Sequence, residues 1–320
     1  MVTVISVERR SAVLTRSSLA CLSHIPTINL TVGCSIGCAY CYTVGYSSHP
    51  GGGKIILYQN TLEKLRAELA GKRAKPRAVF FSPASDLFQP VPEVLELGRR
   101  ILELLLCQGI GVSFLTKGLI PDNTMELLIN HAGKVRAQIG ISTLDEDVAR
   151  MFEPDAACPQ LRVEQMRKLV AGCVPTEARV DPIIPGLTDT RDALERVFSA
   201  LAEAGVKRAA ASTLFLRPAI VESLRRNLSD KNVLERLWGF YTEAGRLAIR
   251  AEQSSVIALP LEKRREILDR VRDTAAEFGV AVAVCACKNP DLAQGTCGIN
   301  GRWPGRPRGI VQRSLLDVER

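Results

Sequence analysis

No apolar run in the 320-residue chain reaches the ~18 residues that would suggest a membrane span. The first twenty residues scatter Arg9, Arg10 and Arg16 and hold no apolar block, so they do not read as a signal peptide. Ten cysteines are too sparse at this length for a disulfide scaffold. Blocks of like charge are also missing. Arginines stand beside glutamates on helical segments, as from Glu262 to Arg265, so most of the formal charge of +8 belongs to solvated helix surface. That charge permits binding of nucleic acid or phosphorylated small molecules and demands neither. What is left is a chain 46% hydrophobic and 24% charged, an ordinary globular balance, long enough for one large core with a small appendage. A cytoplasmic protein with no membrane partner is expected.

The cysteines that are present fall into groups. Gly33-Cys34-Ser35-Ile36-Gly37-Cys38-Ala39-Tyr40-Cys41-Tyr42 carries three of them at spacings of four and three, directly after the strand-like run Ile28–Val32. Three thiolates on one short loop repel each other unless a cation takes up their charge, which points to a metal site. Structural zinc wants four ligands in a closed tetrahedron. No fourth Cys or His follows at short spacing, although His49 lies eight residues on. A cubane cluster held by three cysteines leaves one iron free for another ligand.

This C-x3-C-x2-C pattern, with an aromatic residue before the last cysteine, resembles the signature of the radical S-adenosylmethionine (radical SAM) superfamily. The resemblance implies that Cys34, Cys38 and Cys41 bind a [4Fe-4S] cluster whose open iron is chelated by S-adenosylmethionine. It implies reductive cleavage of that cosubstrate to a 5′-deoxyadenosyl radical, which takes hydrogen from a substrate. It also implies an electron donor such as flavodoxin or ferredoxin, and Tyr40 lying against the adenine.

After a lead-in over residues 1–26, strand-like runs are expected at Ile28–Val32, Ala78–Ser82, Gly111–Thr116, Ala137–Ser142, Ala178–Ile184 and Ala209–Leu216. Helical patterns lie between them at Thr61–Ala70, Pro92–Gln108, Asn123–His131, Arg162–Gly172 and Arg191–Ala204, and Cys107 reads as a core residue on one of these faces. Such alternation makes a parallel sheet covered by helices. Periodicity alone fits an open barrel or a doubly wound sheet; the resemblance implies a partial (β/α)6 TIM-like barrel over residues 27–218. Either way function gathers at the carboxyl ends of the strands. Polar oddities recur there: Ser82 to Pro90, Thr116-Lys117-Gly118, Ser142 to Asp145 with Glu153 beyond, Asp181 to Asp189, and Leu216-Arg217-Pro218. Asp145, Thr188 and Asp189 are each explained as well by a helix cap or turn.

Ser-x-x-Ser-Asp-x-x-Gln-Pro after the second strand, Thr-Lys after the third, Ser-x-x-Asp after the fourth and Pro-Ile-Ile-Pro-Gly-x-x-Asp after the fifth are similar to the spore photoproduct lyase-like (DNA-repair photolyase-like) branch. The branch implies that Ser85 and Asp86 help hold the amino end of S-adenosylmethionine, and that Lys117 and Ser142 reach its carboxylate or ribose. The lyase's loop after the second strand carries a hydrogen-donating cysteine. Here Phe80 to Pro90 contains none, which argues against thymine-dimer reversal by that mechanism.

Beyond residue 218 helices are expected at Ala219–Arg226, Asp230–Arg250 and Leu261–Phe278, then a strand Val280–Val284 leading to a cysteine-containing tail with Cys285, Cys287 and Cys297. Three thiols in one short segment again suggest metal. An auxiliary Fe–S cluster is the leading reading, with its open iron free for substrate or filled by Cys173, Cys21 or another residue. A zinc site completed by Cys173, or a reduced redox-active group, are the alternatives. The expected function is hydrogen abstraction from a nucleotide, nucleoside or other small metabolite, leading to epimerisation or sulfur insertion. Action on a nucleic-acid lesion, with Arg302, Arg306 and Arg308 of the tail contributing, and a non-enzymatic Fe–S sensor or scaffold are the competing readings.

Overall fold

The computed structural model describes residues 2–17, 20–249, 254–298, 301 and 303. It opens with β1 (Thr3–Val7) and the short β2 (Thr15–Arg16). The run expected as one strand over Ile28–Val32 is divided: β3 (Pro26–Ile28) and β4 (Thr31–Val32) belong to different sheets. β5 (Lys54–Tyr58) follows. Then comes the alternation α1 (Thr61–Ala70), β6 (Ala78–Phe81), α2 (Pro92–Cys107), β7 (Gly111–Thr116), α3 (Asp122–Asn130) and β8 (Val135–Gly140). It continues with α4 (Glu146–Phe152), α5 (Pro159–Ala171), β9 (Thr176–Ile183), α6 (Arg191–Glu203) and β10 (Arg208–Thr213). The later elements are α7 (Pro218–Asn227), α8 (Lys231–Phe240), β11 (Gly245–Ile249), β12 (Ser254–Ala258), α9 (Leu261–Glu277) and β13 (Ala281–Val284).

The main sheet has the order β13-β10-β9-β8-β7-β6-β3-β2, parallel throughout except for β2 against β3. Strand order follows chain order without reversal. A doubly wound sheet turns back at a switch point; this one winds in a single direction, as a barrel does. Its outer strands β13 and β2 do not pair with each other, so the fold is an open, partial TIM-like barrel. β1, β5 and β4 form a separate small sheet.

Burial explains the local choices. All four residues of β6, Ala78 to Phe81, are buried, as expected of a parallel strand covered on both faces. α2 starts with Pro92 and buries Val94, Leu97, Ile101, Leu102 and Leu105, a helical stripe facing the sheet. Cys107 falls off that stripe and is exposed, correcting its expected place in the core.

Two corrections concern the later chain. The helix expected over 230–250 stops at Phe240; Gly245–Ile249 instead pairs antiparallel with Ser254–Ala258, and Arg250 lies outside the described residues. Tertiary contacts favour the hairpin over the weak helical pattern. Leu216 and Ile257 exchange both backbone hydrogen bonds at 2.8 Å, and Phe215, Ile249, Val256 and Ala258 pack together. The region beyond residue 218 is therefore not wholly helical. Its last strand, β13, joins the main sheet beside β10 and delivers Cys285 to the same rim as the other strand ends.

Candidate active site

The loop after β4 is held from several sides. Gly33 has φ +82°, and a Cβ there would stand 2.9 Å from the Lys54 carbonyl oxygen, so only glycine suits this turn. The Ser35 amide donates to Gln89 Oε1 (2.8 Å), the Ala39 amide to the Phe152 carbonyl (2.8 Å) and the Asp155 amide to the Ile36 carbonyl (3.2 Å). Gln89 is fully buried and also donates to Thr31 Oγ1 at 3.0 Å. Cys34, Cys38 and Cys41 are thereby aimed into one cavity of about 300 Å³. Burial raises the Cys34 thiol well above its usual range, with Asp86 and the neighbouring thiols adding to it; burial likewise pushes Cys38 up to about 12. These thiols are poor thiolates until a cation offsets their charge.

The loop after β6 forms the adjoining wall. Asp86 is buried and accepts hydrogen bonds from Thr116 Oγ1 (2.6 Å) and from the Phe88 and Lys117 amides (2.8 Å each), while burial raises its carboxyl above the ordinary value. Its carboxylate thus ties the β6 and β7 loops together. The Ser82 and Ser85 hydroxyls behave differently: both are buried, both residues line the cavity, and neither oxygen has a hydrogen-bond partner.

Glu153, just past α4, is a hub that the reading of the sequence noted beyond the fourth strand but gave no role. Its carboxylate accepts from the Tyr40 hydroxyl, lies 3.5 Å from Ser142 Oγ, 3.6 Å from Lys117 Nζ and 2.5 Å from Arg162 Nη1. Lys117 Nζ is also 4.9 Å from the centroid of the Tyr40 ring, and the bare Gly140 leaves room for its stem. Burial alone would raise the Glu153 carboxyl, but Lys117 and Arg162 carry it below the usual value. Tyr40 and Lys117 line the cavity; Ser142 does not, and stands behind them on Glu153. Asp145 caps α4, and Thr188 and Asp189 hold the turn after β9, so all three serve structural ends.

The opposite wall comes from the end of the chain. Cys285, Cys287 and Cys297 line the same cavity, and so does Cys21 from the turn Ala20–Leu22. Lys288 Nζ reaches both Asp181 oxygens (2.9 and 2.7 Å), and Arg179 pairs with Asp181 at 3.1 Å. Burial opposes the charge of Arg179, yet Asp181 and the thiols of Cys297 and Cys285 raise its pKa. Cys173 is exposed at the other end of β9, and His49 is not among the lining residues. Arg302, Arg306 and Arg308 lie outside the described residues.

A family model described as the radical SAM superfamily matches residues 28–201. The chain belongs to the radical SAM superfamily. It is an enzyme of that superfamily, whose members use a [4Fe-4S] cluster with S-adenosylmethionine, a reductant and a substrate. It is 25% identical over 257 residues to the radical SAM Nalpha-GlyT isomerase of Pseudomonas phage M6, covering 79% of this chain and 51% of that one. It is 26% identical over 235 residues to the uncharacterized protein ORF301 of Acidianus two-tailed virus, covering 68% and 77%. The chain thus spans about half the length of the phage isomerase. A spore photoproduct lyase variant solved with AdoMet and dinucleoside spore photoproduct has a similar fold, with a TM-score of 0.65 at 18% identity over 87% of this chain and 81% of that one. No described helix is long and apolar enough to cross a membrane.

One contact in this radical SAM site is testable alone. A Cβ at Gly118 would fall 1.9 Å from the Phe88 carbonyl oxygen, a backbone atom that cannot swing aside. Gly118→Ala is expected to push the β6 and β7 loops apart and cost about 1–3 kcal/mol. Urea unfolding checks this, and an unchanged midpoint contradicts it.

Proposed function

We propose that this enzyme abstracts hydrogen from a nucleotide, nucleoside or other small metabolite held in the shared cavity. Cys34, Cys38 and Cys41 hold the [4Fe-4S] cluster, and a second cluster sits on the cysteines of the opposite wall. The observation that carries the reading is that both thiol groups line one cavity of about 300 Å³ together with Ser82 and Ser85, whose buried hydroxyls have no hydrogen-bond partner. Those hydroxyls make the fit to S-adenosylmethionine a physical one, since a buried hydroxyl without a partner is costly until a ligand's amino group or carboxylate supplies it.

Bound there, cluster and cosubstrate would supply a 5′-deoxyadenosyl radical on reduction by flavodoxin or ferredoxin. The chain's own groups orient and enclose. Ser85 and Ser82 offer hydroxyls to the amino end, Asp86 sets the loop that carries them, and Lys117 presents its ammonium to the carboxylate or ribose. Tyr40 packs toward the adenine with its hydroxyl fixed by Glu153, and Ser142 supports that carboxylate. Ile249 and Val256 of the hairpin and Ile220 of α7 add apolar walls against water. Arg217, Lys288 and Asp181 supply polar groups for a substrate, and epimerisation or sulfur insertion are the outcomes the nearby thiols favour.

Anaerobic protein with dithionite and S-adenosylmethionine is expected to form 5′-deoxyadenosine, and the correct small molecule accelerates it. No 5′-deoxyadenosine under any reductant overturns the reading. A second reading, action on a nucleic-acid lesion, is favoured by the likeness to a fold solved with a dinucleoside spore photoproduct. It gains if an oligonucleotide, but no mononucleoside, accelerates turnover.

A further inference from the structure

We infer that Cys21, Cys285, Cys287 and Cys297 form one closed four-thiolate iron–sulfur site, with Cys21 the fourth ligand that leaves no iron there open to substrate. The inference rests on the auxiliary-cluster reading above and sharpens it. Three independent placements bring the thiols together. β13 pairs with β10 and sets Cys285 and Cys287 at a strand end. Gln138 Nε2 donates to the Cys297 carbonyl at 2.5 Å, tying the following loop back over β8. The turn Ala20–Leu22, anchored by the fully buried Leu22, supplies Cys21. Cys285, Cys287 and Cys297 pack together, and Cys21 lines the same cavity beside them.

A second observation also points to an anionic group at this place. Arg179 is more than nine-tenths buried at 8% exposure and faces Cys297 and Cys285, and its Nη1 has no hydrogen-bond partner. Asp181 takes up the other side of the guanidinium. A cluster with four thiolates is anionic and presents sulfides that accept from such a donor. Four thiols with no histidine among them make a ligand set that suits an iron–sulfur cluster. Cys173, at the far end of β9, is not available. A closed coordination sphere excludes direct binding of substrate to the second cluster.

The test uses full-length Cys34→Ala/Cys38→Ala/Cys41→Ala protein, which keeps only the second thiol group, reconstituted anaerobically with iron and sulfide. It is expected to hold about four iron atoms, and mild oxidation leaves the cluster whole because every iron has a thiolate. Adding Cys21→Ala opens one iron, and the same oxidation then produces the EPR signal of a three-iron cluster; adding Cys173→Ala does not. If Cys21→Ala does not fold, Cys21→Ser is read the same way. A triple variant with no bound iron overturns the auxiliary-cluster reading itself. About four iron atoms that resist oxidation equally with and without Cys21 leave that reading standing and overturn the ligand assignment. One zinc in place of iron overturns the iron–sulfur assignment.

Discussion

Cys38→Ala protein, reconstituted anaerobically, is expected to hold about four fewer iron atoms per chain than the wild type and to release no 5′-deoxyadenosine. Cys38 lies at the centre of the motif loop, between Cys34 and Cys41, and burial pushes its thiol up to about 12. In that environment the proposed cluster would provide the charge that keeps it a thiolate. Its removal leaves two thiolates for a group that needs three from the protein, and nearby groups do not substitute. The thiols of the second group belong to the opposite wall. Iron and sulfide analysis and product chromatography measure both effects. Wild-type iron content with undiminished cleavage in Cys38→Ala would remove the motif loop from the mechanism.

Glu153→Gln is expected to have the second largest effect, a loss of about 3–5 kcal/mol, because it strips the counter-charge from buried Arg162 and from Lys117. The pH dependence has a definite sign. Burial would raise this carboxyl, but Lys117 and Arg162 depress it below its ordinary 4.5. Its contribution is therefore complete above the unfolded value and is lost as pH falls through the lower folded one. The stability gap between wild type and Glu153→Gln should be widest above pH about 4.5 and narrow on acidification. Asp181, depressed by Lys288 and Arg179 despite its burial, adds a similar slope to both proteins and does not alter the comparison. Chemical unfolding of the two apoproteins from about pH 6 to about pH 3 measures this. A gap that stays constant across that window would show that Glu153 does not act through its charge. The same substitution leaves the Tyr40 hydroxyl a neutral, weaker acceptor and loosens Lys117, so weaker S-adenosylmethionine binding is expected alongside.

Much of the site was legible because its signals are local. The three motif cysteines share one loop, and the helix boundaries carry their own marks, such as Pro92 opening α2. Glu153 was named without a role because a lone carboxylate after a helix looks like any other until Tyr40, Ser142, Lys117 and Arg162 are seen around it. Ser82 was named only as a strand-end residue; its orphaned hydroxyl is a property of packing. The hairpin was missed since the alternation over Gly245–Ile249 is short and is stabilised by Leu216, distant in sequence.

By itself the sequence determined the superfamily's cysteine motif, the alternation of strands and helices, and the existence of a second thiol group. Each follows from spacing along the chain, where ligand count and hydrophobic period act over a few residues. Only the tertiary structure decided that the sheet winds one way and stays open. It alone placed β13 in that sheet, brought the tail's thiols across from Cys34, Cys38 and Cys41, and set Cys21 rather than Cys173 beside them. Those are meetings of residues far apart in sequence, governed by strand pairing and burial, for which no local pattern carries a signal.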